Sequence, residues 1–115
     1  MINLMTGGIR MENVVLLCTA GMSTSLLVSK MKKIAAENSI QINIEALAQS
    51  ELKNYNKKID LILLGPQVKY LLNNLERDYQ NTKTKFAVID SIQYGTLNGK
   101  AVLNQALTLL DKKVI

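Results

Sequence analysis

Unbroken apolar runs and helically spaced apolar residues take turns along this chain, and their order predicts its fold. Val14-Val15-Leu16-Leu17 and Leu61-Ile62-Leu63-Leu64 are continuous apolar segments of strand length, as expected of strands covered on both faces. The stretch from about Gln41 to Ala46 differs. There Ile42, Ile44 and Ala46 alternate with Asn43 and Glu45, which predicts a strand at a sheet edge. A short fourth strand is predicted over about Lys85–Ile89. Helical spacing recurs in between: Leu27, Met31 and Ile34 from about Ser23 to Asn38, and Val68, Leu71, Leu72 and Leu75 from about Pro66 to Asp78. Val102, Leu103, Ala106, Leu107 and Leu110 mark a last helix from about Asn98 to Leu110. The polar stretch Ala48–Lys58 has room for one helical turn, and a short turn is expected through Tyr94-Gly95. This alternation predicts an α/β fold, a three-layer open sheet of four parallel strands in the order 2-1-3-4. Right-handed crossovers then place helices on both faces.

That order has a consequence for chemistry. Ligands of such sheets bind at the carboxyl ends of the strands, where the strand order reverses, here between the first and third strands. The first strand runs into C-T-A-G-M-S-T-S, Cys18 to Ser25, and a helix follows at once. A strand, a turn of small residues and a helix start let several backbone amides converge on one anion. Cys18 stands at the mouth of that pocket. Ala20 and Gly21 allow close backbone approach, Thr19 and Met22 complete the loop, and Ser23, Thr24 and Ser25 add hydroxyl donors, one of which can cap the helix. The positive end of the helix and its unpaired amides favour a thiolate. Taken singly, Cys18 reads as a buried strand-end residue and Ser23 as an ordinary cap. The whole string at a switch point reads instead as a nucleophile in a phosphate loop. Gly65, Pro66, Gln67, Asp90 and Tyr94 come next to the same edge and are candidates to support the loop from behind, each with a plainer reading beside it. Helix start explains the first three, capping explains Asp90, and packing explains Tyr94.

Composition narrows the chemistry. The 115 residues make one domain, with 48% apolar and 20% charged residues, enough to close a core without metals or disulfides. Met11, just ahead of the first strand, is the better start, so residues 1–10 are expected to be a tag or upstream extension and residues 11–115 the single domain. No apolar run reaches the roughly 18–20 residues of a membrane span. With no histidine and a single cysteine, no zinc site, no disulfide within the chain and no Ser–His or Cys–His pair is expected. The net charge of +5 is spread over Lys30, Lys32, Lys33, Lys57, Lys58, Lys83 and Lys85 without interleaved aromatics, a pattern that suits an acidic or phosphorylated protein partner better than nucleic acid. A monomer is the default.

Three motifs in order, V-V-L-L-C-T-A-G-M-S-T-S-L-L-V-S-K-M, L-I-L-L-G-P-Q-V and V-I-D-S-I-Q-Y-G, resemble the IIB component of the lactose/cellobiose-type sugar phosphotransferase system, and the cysteine string closely resembles its cellobiose or chitobiose branch. The resemblance runs from about Met11 to Leu110. It implies the fold of low-molecular-weight tyrosine phosphatases and a cytoplasmic phosphoryl carrier without cofactor. Phosphohistidine on the IIA protein would donate to Cys18, Thr19–Ser25 would hold the phosphoryl group, and a β-linked disaccharide on the membrane IIC permease would receive it. A phosphatase of the same fold needs arginine six residues after the cysteine, where this chain has Thr24. An arsenate reductase needs that arginine and resolving cysteines as well. A regulatory or binding module with the same fold is the second reading. The sugar itself is not readable from this chain, since the permease binds it.

Overall fold

The computed structural model describes residues 11–19 and 22–115, without the side chains of Met22 and Ser23. Residues 1–10, Ala20 and Gly21 lie outside the described residues. In chain order the elements are β1 (Glu12–Cys18), α1 (Met22–Glu37), β2 (Ile42–Ala48), α2 (Gln49–Leu52), β3 (Leu61–Leu64), a 3-10 segment (Pro66–Leu71), α3 (Leu72–Asp78), β4 (Lys85–Val88), α4 (Ser91–Gly95) and α5 (Gly99–Leu109). The strands form one parallel sheet in the order β2-β1-β3-β4, as the sequence predicts.

The register explains the two apolar runs. Val14 pairs with Ile44 and Leu61, and Leu17 pairs with Leu47 and Leu64, so both central strands lie between neighbours. Because side chains alternate along a strand, Val14, Leu16, Leu61 and Leu63 pack on one face against Leu27 and Met31 of α1 and Leu103 and Leu107 of α5. Val15, Leu17, Ile62 and Leu64 pack on the other against Leu52, Val68 and Leu71. Burying one such side chain is worth about 1.5–3 kcal/mol, and no position in either run can turn to water.

Local winding departs from the expected pattern in four places. The helix expected over Pro66–Asp78 is two pieces, a 3-10 segment and then α3, with Val68 at non-helical angles (φ −116°, ψ 18°). The tighter winding stacks residues three apart, which turns both Val68 and Leu71 into the core. β2 runs two residues past Ala46, because Cys18 and Ala48 still pair. α1 begins at Met22, one residue earlier than expected. The turn at Tyr94-Gly95 is the helical turn α4, capped by Asp90, whose Oδ2 accepts from the amides of Ile92 (3.0 Å) and Gln93 (3.1 Å).

Three helices close through left-handed residues that are not glycine: Ser39 (φ 55°), Leu97 (φ 53°) and Asp111 (φ 59°). In each, the next amide reaches back to a carbonyl five residues earlier: Ile40 to Ala35, Asn98 to Gln93 and Lys112 to Leu107. These bonds satisfy orphan carbonyls and offset the roughly 1–2 kcal/mol cost of the left-handed conformation.

Gly99 brings α5 onto α1, since a methyl group built on it would lie 2.9 Å from Lys30 Cβ and 3.3 Å from the Lys30 carbonyl carbon. Neither atom is the free end of a side chain. Gly99→Ala is expected to lower stability in urea unfolding by about 1–3 kcal/mol through this overpacking. A variant as stable as the parent would show that the two helices separate at no cost.

Across the sheet, Tyr55 donates its hydroxyl to Glu45 Oε2 on β2 at 2.6 Å, and Lys57 Nζ lies 3.6 Å from the same oxygen. Burial first, then the hydrogen bond and the negative charge of Glu45, push the Tyr55 phenol up to about 12. The raised value means that the fold favours the neutral phenol. Its contribution is therefore complete below the unfolded value of about 10 and is lost as pH climbs toward the folded one. Burial and the Asp78 charge also push Tyr79 up, so an ultraviolet titration should show two tyrosines ionising late, and Tyr55→Phe should remove the later step. If the later step survives in the variant, another tyrosine is responsible.

Candidate functional site

Cys18 is the last residue of β1 and is 4% exposed. It sits at the carboxyl edge of the sheet beside the reversal of strand order between β1 and β3. Thr19 follows as an exposed bend, and α1 starts three residues later. Being sixteen residues long, α1 presents a full helix start to the loop, with first-turn amides that have no partner inside the helix. Ala20 and Gly21, expected to line the pocket, and the side chains of Met22 and Ser23 lie outside the described residues. Ser25 is exposed on α1.

Thr24 takes a different place from the one its neighbours suggest. It is 1% exposed, and its Oγ1 lies 3.0 Å from the hydroxyl of Tyr94, which is itself buried. The sequence carries a signal for this, because Thr24 falls three and seven residues before Leu27 and Met31 and so shares their inward stripe. Thr24 and Tyr94 are 70 residues apart, and their bond ties the first turn of α1 to α4.

The third motif closes on the same point. The Gly65 amide donates to the Leu17 carbonyl at 2.9 Å, which carries the β1–β3 ladder one step past β3. A methyl group on Gly65 would lie 3.4 Å from that carbonyl oxygen, 3.4 Å from Tyr94 Cε1 and 3.2 Å from Gln67 Oε1. Glycine therefore lets the start of the 3-10 segment, the end of β1 and the Tyr94 ring meet. Pro66 fills the first position of that segment, where no amide is needed, and Gln67 is exposed on it. The structure thus brings Leu17, Thr24, Gly65, Gln67 and Tyr94 together behind Cys18. Asp90 stands apart as the cap of α4.

The start of α1 can bind an anion through its unpaired first-turn amides. Of the two arginines in the chain, the one among the described residues is Arg77, near the end of α3 and exposed. Among the described residues no cluster of three or more His, Cys, Asp or Glu side chains could hold a metal, and no helix is long and apolar enough to cross a membrane.

Comparison with known proteins places this geometry. The family described as "PTS system, Lactose/Cellobiose specific IIB subunit" matches residues 13–105. The chain is 38% identical over 100 residues to the oligo-beta-mannoside-specific EIIB component of Bacillus subtilis, covering 87% of this chain and 97% of that protein. It is 38% identical over 103 residues to the galactose-specific EIIB component of Lactococcus lactis, covering 85% and 95%. The solution structure of a cellobiose-specific IIB component from Borrelia burgdorferi superposes with a TM-score of 0.69 at 34% identity, over 92% of this chain and 98% of that one.

The Thr24–Tyr94 bond is open to a direct test. Thr24→Val and Tyr94→Phe should each lower stability by about 0.5–2 kcal/mol, and the double variant should lose clearly less than the sum. Strict additivity in urea unfolding would show that the two hydroxyls do not act on each other.

Proposed function

The chain belongs to the lactose/cellobiose-specific IIB subunits of the sugar phosphotransferase system, and on that premise we propose that Cys18 is its phosphoryl carrier. The observation that carries the reading is the position of the cysteine: the carboxyl end of β1, at the reversal of strand order, just ahead of a long helix start.

Two transfers follow from that position. In the first, the Cys18 sulfur attacks the phosphorus of phosphohistidine on a IIA protein. The P–N bond breaks with its electron pair going to the ring nitrogen, and the thiol proton is released. In the second, a hydroxyl of a β-linked disaccharide of the cellobiose or chitobiose class, held by the IIC permease, attacks the same phosphorus. The S–P bond breaks, the sugar phosphate leaves, the hydroxyl proton is released, and the sulfur is restored. Between the two, the loop Thr19–Ser25 cradles the phosphoryl oxygens with its backbone amides and with hydroxyls other than that of Thr24, each charge-assisted bond worth about 1.5–3 kcal/mol. Gly65, Pro66, Gln67 and Tyr94 hold the frame behind that loop, and Asp90 fixes α4, which bears Tyr94. The protein works on the cytoplasmic side of the membrane, next to the permease, and neither step calls for a cofactor.

A phosphatase on this fold would carry a guanidinium six residues after the cysteine to stabilise the transition state of hydrolysis. That position here is Thr24, buried and bonded to Tyr94, which supports a carrier over a hydrolase. The test is intact-protein mass spectrometry after incubation with phosphoenolpyruvate, the general phosphotransferase proteins and a IIA protein. One added phosphoryl group is expected, absent in Cys18→Ser and discharged by permease plus sugar. Transfer that persists in a folded Cys18→Ser variant would sink the assignment.

A further inference from the structure

The core beneath the site is apolar with one exception. Apart from Cys18 and Tyr94, Thr24 is the one buried residue with a polar side chain among the described residues. Its Oγ1 lies 3.0 Å from the Tyr94 hydroxyl, and both groups are buried. Stability alone does not call for such a pair, because replacing both partners of a buried hydrogen bond by apolar groups of the same shape can be nearly neutral. What the bond adds over an apolar contact is direction: it fixes a distance and an angle between two elements.

The elements it fixes are those that flank Cys18. Thr24 is the third residue of α1, so its own amide is among the first-turn donors that have no partner inside the helix and face the loop. On the other flank the Tyr94 ring closes on Gly65, with Cε1 3.4 Å from where a methyl group on that glycine would stand. The Gly65 amide in turn donates to the carbonyl of Leu17, the residue before Cys18. α4, which bears Tyr94, is anchored as well, by its Asp90 cap and by the bond from the Ile89 amide to the Leu64 carbonyl at 2.8 Å. Tyr94 therefore spans from the end of the β1–β3 ladder to the first turn of α1, and its hydroxyl is the atom that meets the helix.

We propose that Tyr94 is a positioning residue for phosphoryl transfer: through Thr24 it sets where the first-turn amides of α1 stand relative to the Cys18 sulfur. The inference rests on the carrier reading of Cys18 and gives the buried pair a role in the rate of transfer as well as in the fold. Neither hydroxyl has to touch the phosphoryl group. Amides that bind charge developing on phosphoryl oxygens act through their placement, and a misplacement of about 1 Å can cost about a hundredfold in rate. Loss of one hydroxyl leaves the helix start in its place but loosely aimed, and a fall of about tenfold is expected.

The test follows transfer to Cys18 from a IIA protein charged from phosphoenolpyruvate, in the parent and in variants whose fold is checked by circular dichroism. Tyr94→Phe and Thr24→Val should each lower kcat roughly tenfold and leave KM for the phosphorylated IIA protein within about twofold. The double variant should lose about as much as either single one, because both remove the same bond. Thr24→Ser keeps a hydroxyl at that position and should recover most of the loss. Tyr55→Phe makes the same chemical change at a tyrosine bonded elsewhere, to Glu45, and should leave kcat within about twofold. Parent-like kcat in both Tyr94→Phe and Thr24→Val overturns the inference and leaves the carrier reading intact. An equal fall in Tyr55→Phe also overturns it, because the effect then follows stability and not position. Failure of the parent to take any phosphoryl group overturns both readings together.

Discussion

The structure depends on β1 and β3 lying side by side with both of their faces sealed. Val15, Leu16, Leu17 and all of Leu61–Leu64 have no measurable exposure, so neither strand can slip by one residue without exchanging its two packing layers. The ladder continues past the strands at the carboxyl edge, where the Gly65 amide meets the Leu17 carbonyl and the Ile89 amide meets the Leu64 carbonyl at 2.8 Å. The ends of β1, β3 and β4 are thereby held level, and Cys18, Gly65 and Asp90 emerge along one rim. The chemistry of the rim is inherited from the packing beneath it.

Much of this was legible in the chain because parallel sheets write strong signals. The unbroken runs at Val14–Leu17 and Leu61–Leu64 mark central strands, the alternation at Ile42–Ala46 marks an edge, and together they give the order of strands. The elements misread were those where backbone geometry, not side-chain period, decides. The 3-10 winding over Pro66–Leu71 keeps Val68 and Leu71 on one line, as a helix reading also would, so the pattern alone could not separate the two. The helices that close at Ser39 and Asp111 stop where the apolar spacing stops, but the left-handed turn there and at Leu97 is usually signalled by glycine, and no glycine stands at these positions.

The site was legible to a different depth at each residue. Cys18 follows from topology, and Gly65 from the turn after β3. Thr24 sits in a string of hydroxyl residues whose composition points to an anion, yet its spacing from Leu27 and Met31 points inward. Spacing decides where its side chain lies, and the partner it finds there, Tyr94, is 70 residues away. No local pattern reaches that far. Only the assembled sheet, which brings α1 and α4 to the same rim, makes the pair visible.

On the proposed carrier reading, the same rim has to hold a phosphoryl group without hydrolysing it. A guanidinium beside the cysteine would stabilise the charge that develops as water attacks, and would shorten the life of the thiophosphate. In this chain the corresponding position is spent on an internal hydrogen bond, and the described arginine lies near the end of α3, the helix that leads away from the loop. On the proposed carrier reading, a Thr24 turned inward leaves no guanidinium at this position to help water, which favours hand-over of the phosphoryl group over its hydrolysis.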